Sequence, residues 1–351
     1  MTTLTSGTQV GTSETPHAAG APAQRAVTRA PDGGLWAVFP DAHGGHLQCI
    51  GSVDGGATWA PAVQSEVLWP VHDASLTIDE EGYADLVYAG EGPQYLYYRK
   101  GAPVEGGWHW SIRVRIFDVP LLASVNAVAH AEQAEWKIHV VWSRGGEFSS
   151  AYYNSFKIDP EREIWLGTRE RIAGQFDLPG QPAPAIDMSR ETKQLWAAMW
   201  GGSQGVVTTE ATYYGGRWKW SAPRPLGEPQ PAHEGSVSAV WAGEALAVTY
   251  GSEDELVCRT TAGAEARAAG PAARTSAGVD GDGRLHVLYR GAEQGPLYRR
   301  ALDRDGWSEA EKVHPGPVQS FSCEQHGGEA VGAIVAAGGG PQYSVEFLSV
   351  S

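Results

Sequence analysis

The sequence predicts an all-β fold, a single β-propeller of about seven four-stranded blades. Three observations carry that expectation. Short apolar runs alternate with Gly-rich turns along all 351 residues, which include 45 Gly, 22 Pro and 14 Trp. Long helical periodicity is absent, which favours strands. A unit of roughly 40–60 residues also recurs, the period range of propeller blades.

The plainest copy of the unit runs from Thr275 to Val313. Its first strand reaches Asp282-Gly283, a second covers Arg284 to Tyr289, and a third covers Pro296 to Arg300. Trp307-Ser308 opens the fourth. Turn residues separate each pair. The same order starts again at Arg25, at Ser75, at Trp136, at Gln194 and, in shorter form, at Val237. If the short copy is an insertion, a six-bladed ring is the alternative. The tail from Val318 to Ser351 holds only three strand-like runs, so a strand from residues 3–10 is expected to complete the last blade, 318–351. Such pairing of the two chain ends closes the ring and removes its edges. Residues 1–351 then form one domain.

Ser52-Val53-Asp54-Gly55-Gly56-Ala57-Thr58-Trp59 is the sharpest local motif. Ser52, Asp54 and Thr58 have short side chains that bond nearby backbone. Gly55 and Gly56 supply positive φ for a tight hairpin, and Trp59 packs beneath it. This S-x-D-x-G-x-T-W pattern resembles the Asp-box (BNR) repeat of the sialidase-like propeller superfamily. Degenerate versions stand at Gly106 to Trp110, Gly215 to Trp218 and Asp303 to Trp307. The resemblance implies a propeller whose Asp-box turns join third and fourth strands, away from the ligand-binding face. It leaves function open, because the superfamily holds sialidases, other glycan-active enzymes, lectins and phage or receptor binding modules. The Arg-Ile-Pro motif of sialidases has no counterpart near the start, where Gln24-Arg25-Ala26 stands. The run from Arg115 to Pro120 falls in a late strand.

Composition narrows the partners. The net charge of -15 argues against nucleic acid and against anionic membranes. No stretch is long and apolar enough to span a membrane. Met1 to Gly20 lacks the features of a secretory signal, so synthesis in the cytoplasm is expected, with release by lysis or within a virion as the routes out. Cys49, Cys258 and Cys323 are scattered and odd in number, which reads as buried free thiols rather than disulfides or zinc ligands. No cofactor and no metal is expected. His43 and His46 form a loop pair without a third ligand.

Function is sought where the first strands begin. Pro70-Val71-His72-Asp73-Ala74-Ser75 matches Pro231-Ala232-His233-Glu234-Gly235-Ser236. Read in register with related segments, these place Arg25, Asp73, Glu234, Arg274 and Ser320 at equivalent positions around the channel mouth, with Gln181 and Ser124 or Asn126 filling the ring. Arginines hold anionic or hydroxyl-rich ligands. Asp73 and Glu234 are candidate catalytic carboxylates, and His72 and His233 candidate bases. The alternative is a ring of structural ion pairs, Asp73 with Arg25 and Glu234 with Arg274. Second strands end in aromatics, of which Trp142, Trp200 and Tyr289 are candidate sugar platforms or, alternatively, packing between blades. The leading expectation is a non-catalytic propeller that binds a glycan or surface ligand through Arg25, His72, Asp73, His233, Glu234, Arg274 and these rings. The alternatives are a phage virion or tail component bound to other virion proteins, and a glycoside hydrolase or polysaccharide lyase.

Overall fold

In the computed structural model, the described residues are 7–20, 24–41, 46–61, 71–90, 95–104, 107–111, 113–118, 122–129, 138–144, 150–158, 164–167, 169–173, 183–189, 191–230, 232–233, 236–291 and 294–351. The protein is all-β. The one helical element among these residues is a single 3₁₀ turn at Gly202–Gln204, and no helix is long and apolar enough to cross a membrane.

Antiparallel strands form five sheets of four or five strands each, in chain order from Val27–Arg29 to Glu265–Ala269. The remaining strands form one eight-stranded sheet. This corrects the expectation of about seven separate four-stranded blades. The cause is the 13-residue strand Glu311–Cys323. Its first half pairs with Gly295–Asp303 and its second half with Val331–Ala337, so hydrogen bonding runs on without a break. Register shifts between Gly295 and Tyr298 and between Val318 and Ser320 bend the strand where it changes partner.

The sheets are arranged like propeller blades. The first strand Val27–Arg29 packs beside Val71–Ile78, and that strand beside Leu122–Ala129. Ala185–Met188, Ser238–Ala242, Arg274–Val279 and Glu311–Cys323 follow in order, and Val331–Ala337 returns to Val27–Arg29. Thr8–Ser13 pairs with Tyr343–Val350, with Thr8 opposite Phe347 and Ser13 opposite Tyr343. The N-terminal strand therefore lies later than residues 3–10, of which 3–6 are outside the described residues.

The core lies between neighbouring sheets. Val38, Leu47 and Cys49 of the first sheet meet Leu76, Leu86, Tyr88 and Trp108 of the second. Val128 and Val141 of the third meet Ile186 and Met199 of the fourth. Second strands such as Ala84–Gly90 and Leu195–Trp200 are buried along their whole length, because both faces are covered. Each such Leu or Val contributes about 1.5–3 kcal/mol by leaving water.

The Ser52–Trp59 turn is held as its chemistry predicts. The Ser52 hydroxyl donates to Asp54 Oδ1 (2.8 Å) and accepts from Gly56 N (2.8 Å). Asp54 accepts from Thr58 N and Thr58 Oγ1, and these bonds hold its carboxyl down at about 2. Gly55 and Gly56 sit at φ 72 and 95. Trp59 Nε1 donates to Gly56 O, and its ring lies 5.1 Å from that of Phe347 in the C-terminal strand. A Cβ on Gly56 would stand 2.0 Å from the Phe347 ring, so this turn fits against the last strand only as glycine.

Candidate functional site

Inter-sheet hydrogen bonds fix the true register of the first strands. Ser75, Ser238, Ser276 and Ser322 each accept, through the hydroxyl, the N–H of the next first strand, from Ala127, Ala277, Cys323 and Ala26 respectively. Arg25 holds the same level, with its carbonyl accepting from Leu76 N (2.9 Å). Asn126, just before Ala127, holds it in the third sheet, where its Oδ1 accepts from Ser75 Oγ.

This corrects the equivalence read from sequence. Asp73, Ser124, Arg274 and Ser320 lie two residues before that level, at the leading end where first strands begin. Arg25 lies two residues deeper than they do. Ser236, not Glu234, shares their level, and Glu234 itself is outside the described residues, as are Gln181 and His43. Of the Pro residues that suggested the alignment, Pro22, Pro70 and Pro231 are outside the described residues and Pro317 lies within the strand Glu311–Cys323, whereas the serines all stand in strands.

Arg25 consequently does not pair with Asp73. Its Nη2 donates to Asp187 Oδ1 and to Ile186 O in the fourth sheet, both at 2.9 Å. Asp187 Oδ2 also accepts from Trp241 N (2.7 Å) and bonds His326 Nε2 (3.1 Å). Four segments thus meet on one carboxylate that is 1% exposed. Burial alone pushes the Asp187 pKa up, but His326, Arg25 and the Trp241 N–H outweigh it and hold the carboxyl well below the usual range. Two amides brace the same region, Gln24 to Val125 O (3.1 Å) and Gln325 to Ala239 O (3.0 Å). Nothing in the sequence around Asp187 marks it, since its partners come from 162 and 139 residues away.

Beneath this cluster lies a cavity of about 350 Å³. Thr28, Arg29, Thr77, Asp79, Gln325 and His326 line it, together with Arg25 and Asp187. It sits at the turn end, opposite the leading end. Its walls include the Ala30–Gly33 and Ile78–Glu80 turns between first and second strands. Ser52, which opens the Ser52–Trp59 turn, pairs with Leu35 just past the first of these, so both turns lie at one end. Arg29 is fixed to Glu324, Nε to Oε1 at 2.6 Å and Nη2 to Oε2 at 3.0 Å. Asp79 Oδ1 accepts from Glu81 N and Tyr83 N and closes its turn.

The other expected residues serve the frame or stand apart. Asp73 Oδ2 accepts from Val125 N (2.8 Å), and burial pushes its pKa well up. His233 is half-buried and binds through its backbone to Gly251 O and Ser236 N. His72 lies in the strand Val71–Ile78, with its side chain outside the described residues. Arg274 opens its strand opposite Arg290. With burial as the larger cause, both arginines lower the pKa of His17. The three rings considered as platforms are buried, which corrects that expectation. Trp142 stacks on Tyr152, Tyr289 stacks on Tyr298, and Trp200 Nε1 donates to Ala232 O. The thiols of Cys49, Cys258 and Cys323 are free and buried, and desolvation lifts each to about 12. Among the described residues, no group of three or more His, Cys, Asp or Glu is placed to hold a metal ion.

No family model matches the chain, and no curated protein matches it. Solved structures do. The Hadza microbial sialidase Hz136 matches over 93% of this chain with a TM-score of 0.53 and 12% identity, and the chain spans 65% of that protein's length, less than two thirds. AofleA from Arthrobotrys oligospora matches with a TM-score of 0.51 and 12% identity, covering 87% of this chain and 90% of the other. A chain of the Mitotic Checkpoint Complex matches with a TM-score of 0.56 and 9% identity, covering 98% and 94%. At such identities the likeness is one of fold, and it joins the sheet order in describing an all-β, propeller-like protein.

Proposed function

We propose that this protein is a non-catalytic, glycan-binding β-propeller of the sialidase-like, Asp-box kind. Its eight-stranded sheet is read as two blades fused through Glu311–Cys323, giving seven. The circular contacts of the first strands and the Thr8–Ser13 pairing with the C-terminal strand support that count. The hydrogen bonds of Ser52, Asp54 and Thr58 support the Asp-box reading, and a sialidase is among the matching folds.

One observation carries the non-catalytic reading. Two of the charged groups expected to act on a substrate are tied to the frame, Arg25 to Asp187 and Asp73 to Val125 N. A nucleophile or acid engaged this way is oriented toward protein. Polar groups gather in two places along the channel: the leading end, with Asp73, His233 and Arg274, and the cavity at the turn end. A glycan array combined with fluorogenic glycosides of neutral and acidic sugars tests the reading. Binding without turnover is expected. Turnover that Asp73→Asn abolishes would overturn it.

A further inference from the structure

We infer that the turn-end cavity is a binding site for one neutral, polyhydroxylated ring of monosaccharide size, and that acidic sugars are excluded from it. This rests on the glycan-binding reading and gives it a location and a ligand class.

Size is the first argument. About 350 Å³ lies at the small end of ligand pockets, which run roughly 300–1,000 Å³. Charge is the second. An acidic sugar needs a cation to receive its carboxylate. The two arginines lining the cavity already carry carboxylates, Arg25 that of Asp187 and Arg29 that of Glu324. Asp79 faces the same space, and Glu80 stands exposed at its rim. A bound anion would therefore meet repulsion without a partner.

The third argument is an acceptor. Gln325 is 7% exposed and lines the cavity. Its Nε2 is spent on Ala239 O, while its Oε1, shielded from solvent in this rotamer, has no hydrogen-bond partner among the described residues. Buried acceptors are rarely left so, since an unmade bond there costs about 1–3 kcal/mol. A turn of the Gln325 amide into the cavity would give a sugar hydroxyl this acceptor, and the hydroxyl can in turn accept from a neighbouring donor. The hydroxyls of Thr28 and Thr77 add groups that both donate and accept. Such a mixed lining suits hydroxyls rather than a formal charge.

The test uses the full chain and saturation-transfer NMR. The probes are the methyl glycosides of glucose, galactose, mannose and fucose, with N-acetylneuraminic acid alongside. Thr28→Trp fills the cavity, Gln325→Met removes the acceptor at similar length, and Tyr214→Ser alters an exposed ring outside its lining. Thermal melts confirm folding, and Gln325→Met decides if Thr28→Trp does not fold. The expected result is saturation transfer to at least one neutral glycoside. It is lost in Thr28→Trp, weakened roughly tenfold in Gln325→Met and unchanged in Tyr214→Ser. Neutral binding that both cavity variants leave unchanged would overturn the location while the glycan-binding reading stands. N-acetylneuraminic acid binding that Thr28→Trp abolishes would overturn the neutral class. Failure of every saccharide, on the array as well as here, would overturn the glycan-binding reading and this inference with it.

Discussion

Replacing Asp187 by Asn should destabilise the protein by about 3–5 kcal/mol, the usual cost of removing one partner from a buried ion pair. Asn can still accept from Trp241 N and from one other donor, but it carries no charge. Arg25, itself 6% exposed, would face a neutral amide where it now faces a carboxylate. For a chain of 351 residues unfolding as one unit, the unfolding entropy converts that loss into a Tm fall of about 4–7 °C. Urea unfolding is the better assay, read as a lower midpoint at constant m. The pH dependence has a definite sign. The folded carboxyl titrates below its unfolded value of about 3.9. Its contribution is therefore complete above that value and lost as pH falls, so the gap between wild type and Asp187→Asn should narrow below about pH 4. The double variant Arg25→Met with Asp187→Leu should lose less than the sum of its single changes, because no buried charge is left alone. An Asp187→Asn protein within about 0.5 kcal/mol of wild type, or strict additivity in the double variant, would refute this account of the cluster.

Gly56→Ala should cost about 2–4 kcal/mol, since it adds a Cβ against Phe347 at a positive φ; in a Phe347→Ala background the same change should cost visibly less in urea melts. Tyr98→Phe should cost about 1.5–3 kcal/mol, because it leaves the buried Asp85 carboxylate without its 2.6 Å donor; chemical denaturation reads this directly. Asp73→Asn should raise stability at neutral pH and lose that advantage in acid. The folded carboxyl titrates above its unfolded value, so its contribution is present at low pH and fades as pH rises; melting at several pH values checks the sign. The thiols of Cys49, Cys258 and Cys323 should resist a disulfide reagent in the folded protein and react with three equivalents once it is unfolded.

Much of the fold could be read from residues that act locally. Ser52, Asp54, Gly56 and Thr58 bond within their own turn, so their spacing alone specifies the geometry. Period-two and fully apolar runs such as Leu195–Trp200 mark strands because burial acts residue by residue. The site was harder to read for the opposite reason. Asp187 gathers donors from Arg25, Trp241 and His326, and no local pattern encodes such a meeting. The register error had a usable antidote in Ser75, Ser238, Ser276 and Ser322. These small hydroxyls recur inside first strands where an apolar residue would otherwise be expected. Hydroxyls inside strands mark which residues stand opposite one another.

The pairing of Thr8–Ser13 with Tyr343–Val350 also sets an order of events during synthesis. Thr8–Ser13 needs as its neighbour a strand synthesised long after it, and every sheet between them is made in the interval. Until then Thr8–Ser13 has no strand to join, and the first sheet lacks the Phe347 ring on which Trp59 and Gly56 rest. Contacts this distant along a chain form slowly, and unpaired strands are sticky meanwhile. Closure is thus a late step of folding, and the waiting Thr8–Ser13 strand is where a second nascent copy can intrude, by lending its own Thr8–Ser13 to this Tyr343–Val350.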